Sequence, residues 1–130
     1  MKTKTIKQSV TFEANPHEIY EMLIDSSKHS KFTGAKAEID RREGGRFKAY
    51  DGWISGTTIK LIPDKKIIQL WRGDDWPENH YSKATFLLKK IKNGTHLTFK
   101  QSDVPSEHYE DISQGWHEHY WNKMKEILNK

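Results

Sequence analysis

The chain has 130 residues, which is enough for one hydrophobic core and short of the length at which cores divide, so it reads as a single domain over 1–130. It contains no cysteine, which excludes disulfides, thiolate metal sites and a cysteine nucleophile and fits a reducing compartment. Lysine and arginine number 22 against 18 acids, for a net charge of +4, but the basic runs are only pairs such as Lys65-Lys66 and Lys89-Lys90. Acids are interleaved with them, so the charge reads as spread over a solvated surface and not as a nucleic-acid patch. The N-terminal "MKTKTIKQSV" lacks the apolar run of a signal peptide, and no segment approaches the ~20 apolar residues of a membrane span. A cytoplasmic protein without membrane contact is expected.

The first element is a strand. In "KTIKQSVTFE" (4–13) Ile6, Gln8, Val10 and Phe12 alternate with Lys7, Ser9, Thr11 and Glu13, the period of a half-buried strand. "ANPHEIYEML" then changes period: Asn15 suits an N-cap, Pro16 the first helical position and Glu18 a capping box. Ile19, Tyr20, Leu23 and Ile24 recur at helical spacing. A second short helix over "SSKHSKF" should end near Gly34.

From Ala35 to Gln101 the pattern is β. "EGGRFKAYDGWISGTTIKLIPDKKIIQLWRG" reads as three strands parted by "DG" and "PDKK" turns. In "YSKATFLLKKIKNGTHLTFKQ", Asn93-Gly94 predicts a type I′ hairpin between two alternating strands. Ala84, Phe86 and Leu88 share a face with Leu97 and Phe99, and Lys83, Thr85, Lys89, His96, Thr98 and Lys100 take the other with Leu87 as the exception, which implies an antiparallel sheet with one wet face. The alternation further places Phe47, Ile67, Gln69 and Trp71 on the inward side and Lys66 and Arg72 on the convex side.

The last element is a long helix. Ser106 can cap it, and Ile112, Trp116, Tyr120, Met124 and Ile127 step along one face. Gly115, which costs ~1 kcal/mol relative to alanine in a helix interior, suggests a close approach of helix to sheet. The expected fold is therefore α+β: a curved antiparallel sheet wrapped around the C-terminal helix, with two short helices after the first strand.

No catalytic constellation emerges. His117 and His119 point ~200° apart on a helix and cannot share an ion, and His117 is better placed to pack beside Tyr120 and Trp121. No serine sits in a nucleophile elbow, and the glycines of "EGG" and "DGWISG" precede no helix that would cradle a phosphate. Asp74, Asp75 and Glu78 lack calcium-loop spacing, and His80 beside Trp76 and Pro77 reads as a satisfied structural histidine. No metal and no cofactor are expected. The inward faces are rich in aromatics, and a curved sheet closed by one helix leaves a wedge in which an apolar ligand can sit. The candidate lining is Phe47, Ile67, Trp71, Phe86, Leu88, Leu97, Phe99, Trp116, Tyr120 and Met124.

The order of elements resembles the helix-grip fold of the START-like (Bet v 1-like) superfamily. The motifs resemble the activator-of-heat-shock-protein-90-ATPase homologue family, in the domain that forms the C-terminal half of the eukaryotic co-chaperone. The resemblance rests on "FTGAKAEIDRREGGRFKAYDGWISG" (32–56), "LIPDKKIIQLWR" (61–72), "WPENHYSKATFLL" (76–88), "VPSE" (104–107) and "QGWHEHYWNKMK" (114–125). The family's tryptophan–proline–histidine–serine loop falls on Trp76, Pro77, His80 and Ser82, and its helix motif on Gly115, Trp116, Tyr120 and Trp121. The resemblance implies a chaperone of the heat-shock protein 90 class as partner. In the eukaryotic co-chaperone a separate N-terminal domain provides the main grip, so the contact expected of this chain is weak. The first expectation is a non-enzymatic binding domain with a sheet–helix cavity for a small hydrophobic or amphipathic ligand, and the alternative is a chaperone interaction module.

Overall fold

Strict alternation carries β1 (Thr3–Phe12) along the sheet, with Ile6, Val10 and Phe12 buried and Lys7, Ser9 and Thr11 outward. Two residues later the period changes, and α1 (Pro16–Ile24) begins where the Asn15 side chain accepts the Glu18 N–H at 3.0 Å. Asp25 starts α2 (Ser26–Thr33) in the same way, accepting from Lys28 at 3.0 Å, and Gly34 ends it in the left-handed region at φ 77°. The coordinates are those of a computed structural model and describe residues 1–129.

The remaining strands are β2 (Glu38–Ile39), β3 (Arg46–Ala49), β4 (Ile54–Ile62), β5 (Lys66–Gly73), β6 (Ser82–Ile91) and β7 (Gly94–Pro105). They join β1 in one antiparallel sheet of order β1-β7-β6-β5-β4-β3-β2. Its register aligns Ile67 with Phe86, Trp71 with Ser82, Phe86 with Phe99 and Leu88 with Leu97. These inward side chains are buried under the C-terminal helix, which runs as α3 (Tyr109–Gly115), a π-helical segment (Trp116–Trp121) and α4 (Asn122–Leu128). The architecture is the helix-grip fold.

Several local expectations are corrected. The hairpin turn lies one residue earlier than Asn93-Gly94: Ile91 pairs with Gly94, and of the two loop residues only Asn93 has positive φ, at 64°. Gly94 is needed for another reason, since a Cβ there would lie 2.1 Å from the Phe12 carbonyl oxygen. Ser106 does not cap the last helix; residues 106–108 form a 3₁₀ turn, and neither that turn nor α3 has a side-chain cap. Gly115 marks no close approach, because its nearest contact would be an ordinary 3.7 Å to the His119 ring. The helix face also differs. In the π segment Asn122 N–H bonds back to His117 O, and the wider turn lets both Tyr120 and Trp121 point inward. Trp121 is thereby fully buried, while Ile127, expected on the stripe, is 41% exposed. Finally, the lysines that are dispersed in sequence gather on one side: Lys7 stands opposite Lys100 on the outer sheet face, with Lys83 two residue pairs away on β6 and β7.

Candidate functional site

The seam between helix and sheet is closed by polar pairs inside an apolar core. Trp116 Nε1 donates to Gln101 Oε1 at 2.8 Å, Gln101 Nε2 to Ser82 Oγ at 2.9 Å, and Ser82 Oγ to the Trp71 carbonyl at 2.7 Å. Ser82 at the start of β6 and Trp116 of the C-terminal helix are thus joined through Gln101. A parallel chain fixes the neighbouring indole: Trp121 Nε1 donates to Gln8 Oε1 at 2.7 Å, and Gln8 Nε2 to Ser113 O and Oγ at 2.9 and 3.1 Å. Each amide orients an indole that burial alone would leave free to slide.

Tyr120 is held from the other side. Its hydroxyl lies 2.8 Å from His29 Nε2, and His29 Nδ1 lies 3.1 Å from the Leu23 carbonyl. A carbonyl only accepts, so Nδ1 carries the proton and Nε2 accepts from the tyrosine. Burial holds the His29 pKa down at about 4, so the ring is neutral near pH 7. Burial, with a smaller contribution from Tyr50, raises the Tyr120 phenol well above its ordinary range.

Past Tyr120 the packing opens into a cleft of about 420 Å³. Tyr50, Trp53 and Ile54 form one wall, Ile112, Gly115 and His119 the other, and Trp71, Trp116 and Tyr120 also border it. The first wall hangs on an unusual turn between β3 and β4, where Tyr50, Asp51 and Gly52 all have positive φ, at 49°, 56° and 95°. That conformation is costly for a tyrosine. The turn is held by Asp51, whose N–H donates to Lys36 O at 3.0 Å and whose Oδ1 accepts from Lys36 N at 2.9 Å. Tyr50 meets the edge of His119 at 5.3 Å, and its buried hydroxyl has no partner among the described residues. Burial pushes its pKa up to about 12.

The expected lining residues divide between cleft and core. Trp71, Trp116 and Tyr120 reach the open cleft. Phe47 and Phe86 instead border an interior void of about 10 Å³, room for one water molecule at most, and Phe47 also lines an open groove beside Ser26 and Ile39. Ile67, Leu88, Leu97, Phe99 and Met124 are buried in packed core, with Phe99 and Trp116 ring centroids 4.4 Å apart. The wedge under the sheet is therefore filled, and the accessible space lies at its lip. Trp76 packs between Trp71 and His108 at 5.4 and 6.2 Å, and its loop is tied by Arg72 Nη2 donating to the Trp76 and Pro77 carbonyls. His80 Nε2 donates to Asp103 O at 2.7 Å, a structural contact. His117 is exposed and not packed as expected. Among the described residues no three His, Asp or Glu side chains converge as a metal site, and no helix is long and apolar enough to cross a membrane.

Gln8, His29, Tyr50, Trp53, Gln101 and His119 carry parts of this arrangement that sequence reasoning did not assign. Gln8 and Gln101 had a readable signal: each is a lone amide in an inward apolar alternation, where a buried polar group requires a partner.

A helix-grip domain whose grip is cemented by paired indoles and amides defines the class. Residues 13–129 match the family described as "Activator of Hsp90 ATPase homolog 1-like protein", and the chain belongs to that family. It is 31% identical over 124 residues to the activator of 90 kDa heat shock protein ATPase homolog 1 of Homo sapiens, covering 95% of this chain and 36% of that protein. It is 30% identical over 128 residues to the corresponding homolog of Dictyostelium discoideum, covering 98% and 33%. The chain thus spans about a third of the length of these relatives, which are named for activating an ATPase and not as ATPases themselves. Among solved structures, an HSP90 activator from Plasmodium falciparum superposes with a TM-score of 0.89 at 23% identity, over 95% of this chain and 94% of that one. The Aha1 dimer from Colwellia psychrerythraea gives 0.83 at 20% identity, over 96% of both chains. At those identities the likeness is one of fold.

Proposed function

We propose that this chain is a non-catalytic interaction module that engages an ATPase of the heat-shock protein 90 class and modulates its turnover. The observation that carries the reading is the family match across 13–129 together with the identity to relatives named as activators of that ATPase. The side-chain arrangement supports a binding role: the aromatic seam spends its polar groups on holding the helix to the sheet, and the histidines beside it are structural or exposed. A domain of this size offers a limited contact area, and interfaces below ~1,200 Å² give weak, transient association. The test is a coupled ATPase assay with the chaperone from the same organism, paired with an NMR titration of the labelled chain. Fast-exchange binding with stimulation that saturates is expected. Absence of both binding and stimulation overturns the reading.

The cleft favours a second reading, in which the module also holds a small apolar or amphipathic ligand. Its volume falls within the ~300–1,000 Å³ usual for ligand pockets, it is lined by Tyr50, Trp53, Trp71, Trp116 and Tyr120 with Asp111 and Glu118 at its polar side, and the Tyr50 hydroxyl has no partner among the described residues. Fatty acids and flat aromatics titrated into the protein should shift amides of 50–54 and 111–120 and leave those of the filled wedge, including 84–88, in place. A broad apolar library that shifts neither removes this reading and leaves the first intact.

A further inference from the structure

The outer face of the sheet is cationic, with an apolar centre. In register, Lys7 of β1 stands directly opposite Lys100 of β7, and that row continues through Thr85 to Ile68. The flanking rows set Lys83 beside Leu70 and Lys66 beside Leu87. Leu70 is 37% exposed and Leu87 43%. The acids of the strands, Glu38 of β2 and Asp103 of β7, lie at the margins of this face, and Glu38 is engaged by Lys36 at 2.9 Å. Among the described residues Lys7, Lys66, Lys83 and Lys100 enter no ion pair.

Such a face is costly to keep. Like charges directly opposite each other destabilise a strand pair, and among the described residues no carboxylate pairs with either lysine to offset them. Lysines commonly guard the exposed edge of a sheet against pairing, which accounts for Lys7 on the edge strand β1, but Lys66, Lys83 and Lys100 lie on the interior strands β5, β6 and β7 and have no edge to protect. The surrounding lysines raise a shared positive potential over exposed aliphatic carbon.

We infer that the outer face of β5, β6 and β7 is a docking surface for an acidic protein segment in which carboxylates flank aliphatic side chains. Lysine ammonium groups meet scattered carboxylates as point charges, while Leu70, Leu87 and Ile68 offer the aliphatic contact between them. Nucleic acid fits less well, because the outward positions of these strands hold no Phe, Tyr or Trp on which bases could stack, and Tyr81, exposed just before β6, lies under the Arg72 guanidinium at 6.0 Å. An anionic membrane also fits less well. The aliphatic residues stand in the middle of a sheet, level with the lysines, and not on a protruding amphipathic element that could sink below the headgroups. The surface lies on the side of the sheet opposite the cleft, so the inference does not depend on the cleft or on the identity of the chaperone.

The probe is a peptide of repeating Glu-Glu-Leu, titrated into the full chain and followed by amide shifts, with Gln-Gln-Leu and Glu-Glu-Ser peptides, single-stranded DNA and phosphatidylserine vesicles as comparators. Glu-Glu-Leu should shift outward positions of β5, β6 and β7, leave 111–121 in place and weaken as salt rises. The double variant Lys83→Glu with Lys100→Glu should weaken it by about tenfold or more. Leu70→Ser should weaken Glu-Glu-Leu binding while sparing binding of Glu-Glu-Ser. Retained melting behaviour of each variant shows that the fold is kept, and Lys100→Glu alone should melt no lower because it removes the clash with Lys7. Failure of Glu-Glu-Leu to bind, binding indifferent to the double reversal, or tighter binding of DNA, vesicles or Glu-Glu-Ser would each overturn the inference.

Discussion

Two neighbouring parts of the molecule treat their polar atoms in opposite ways. At the helix–sheet seam both indole N–H groups and both glutamine amides are paired within the protein. At the cleft, Tyr50 sits in a left-handed conformation with its buried hydroxyl unpartnered among the described residues. Satisfied burial raises stability; strain and orphaned donors lower it and persist where the surrounding structure enforces them. The seam is thus the part that makes the fold, and the lip is the part that a binding function can explain.

The sharpest way to break this contrast is Trp116→Ala. The indole packs against Phe99, Tyr120 and Trp121 at centroid distances of 4.4, 4.6 and 5.5 Å. Removing it should cost ~3–5 kcal/mol through the cavity left behind, a large part of the ~5–15 kcal/mol available to a domain. Chemical denaturation should show a protein that is unfolded or barely folded. A cooperatively melting variant of near-native stability would mean that Trp116 belongs functionally to the cleft and not to the seam.

Acid provides the next test. His29 is 6% exposed, and its pKa falls from 6.5 to about 4 on folding, chiefly through burial. Below pH 6.5 the unfolded chain takes up a proton that the folded ring resists, so stability is full above that value and declines as pH falls toward 4. The loss amounts to ~3 kcal/mol. Glu21, whose carboxyl Arg41 holds below its ordinary value of 4.5 by hydrogen bonding, adds a loss that begins as pH falls through 4.5. Denaturation midpoints from pH 7 to 5, above the Glu21 range, should fall in wild type and flatten in His29→Gln. An equal slope in both would show that His29 is not the group responsible.

Gln101→Leu tests the seam at its polar joint. It leaves Trp116 Nε1 buried without an acceptor, which should cost ~1–3 kcal/mol, whereas Ser82 keeps its bond to the Trp71 carbonyl. Loss of less than half a kilocalorie would mean that the indole finds another partner and that the glutamine does not orient it.

How much of this was legible follows from the range of the forces. Alternation in β1 and β5 to β7, the Asn15 cap and the Gly34 stop are local, and they place sheet and helices as the structure has them. The π segment was not legible, because a one-residue widening leaves the composition of "WHEHYW" unchanged and shows only in which residues turn inward. Gly94 and Gly115 were misread because a glycine near a turn or inside a helix does not announce what its missing Cβ would touch. The lysine face was missed for a topological reason: Lys7 and Lys100 are far apart in sequence and meet only once β1 pairs with β7. The cleft depends on a turn of three positive φ values at "YDG", and "DG" signalled the turn without revealing that it would lift Tyr50 over the helix.

The smallest expected effects lie at the lip, where the contrast is finest. Gly115→Ala adds a methyl group with nearest contact at 3.7 Å, so it should stabilise the helix by up to ~1 kcal/mol while narrowing the cleft. Tyr50→Phe removes a hydroxyl that has no partner among the described residues. A tyrosine with a satisfied hydroxyl would be destabilised by ~0.5–1.5 kcal/mol on losing it; here the melting curve should be unchanged or slightly raised. Any ligand that hydrogen-bonds to this hydroxyl should bind the variant several-fold more weakly, so the paired measurement separates a stored site from a packing defect. If Tyr50→Phe destabilises the protein as Gln101→Leu does, the hydroxyl is already satisfied in solution, and the lip is an extension of the seam.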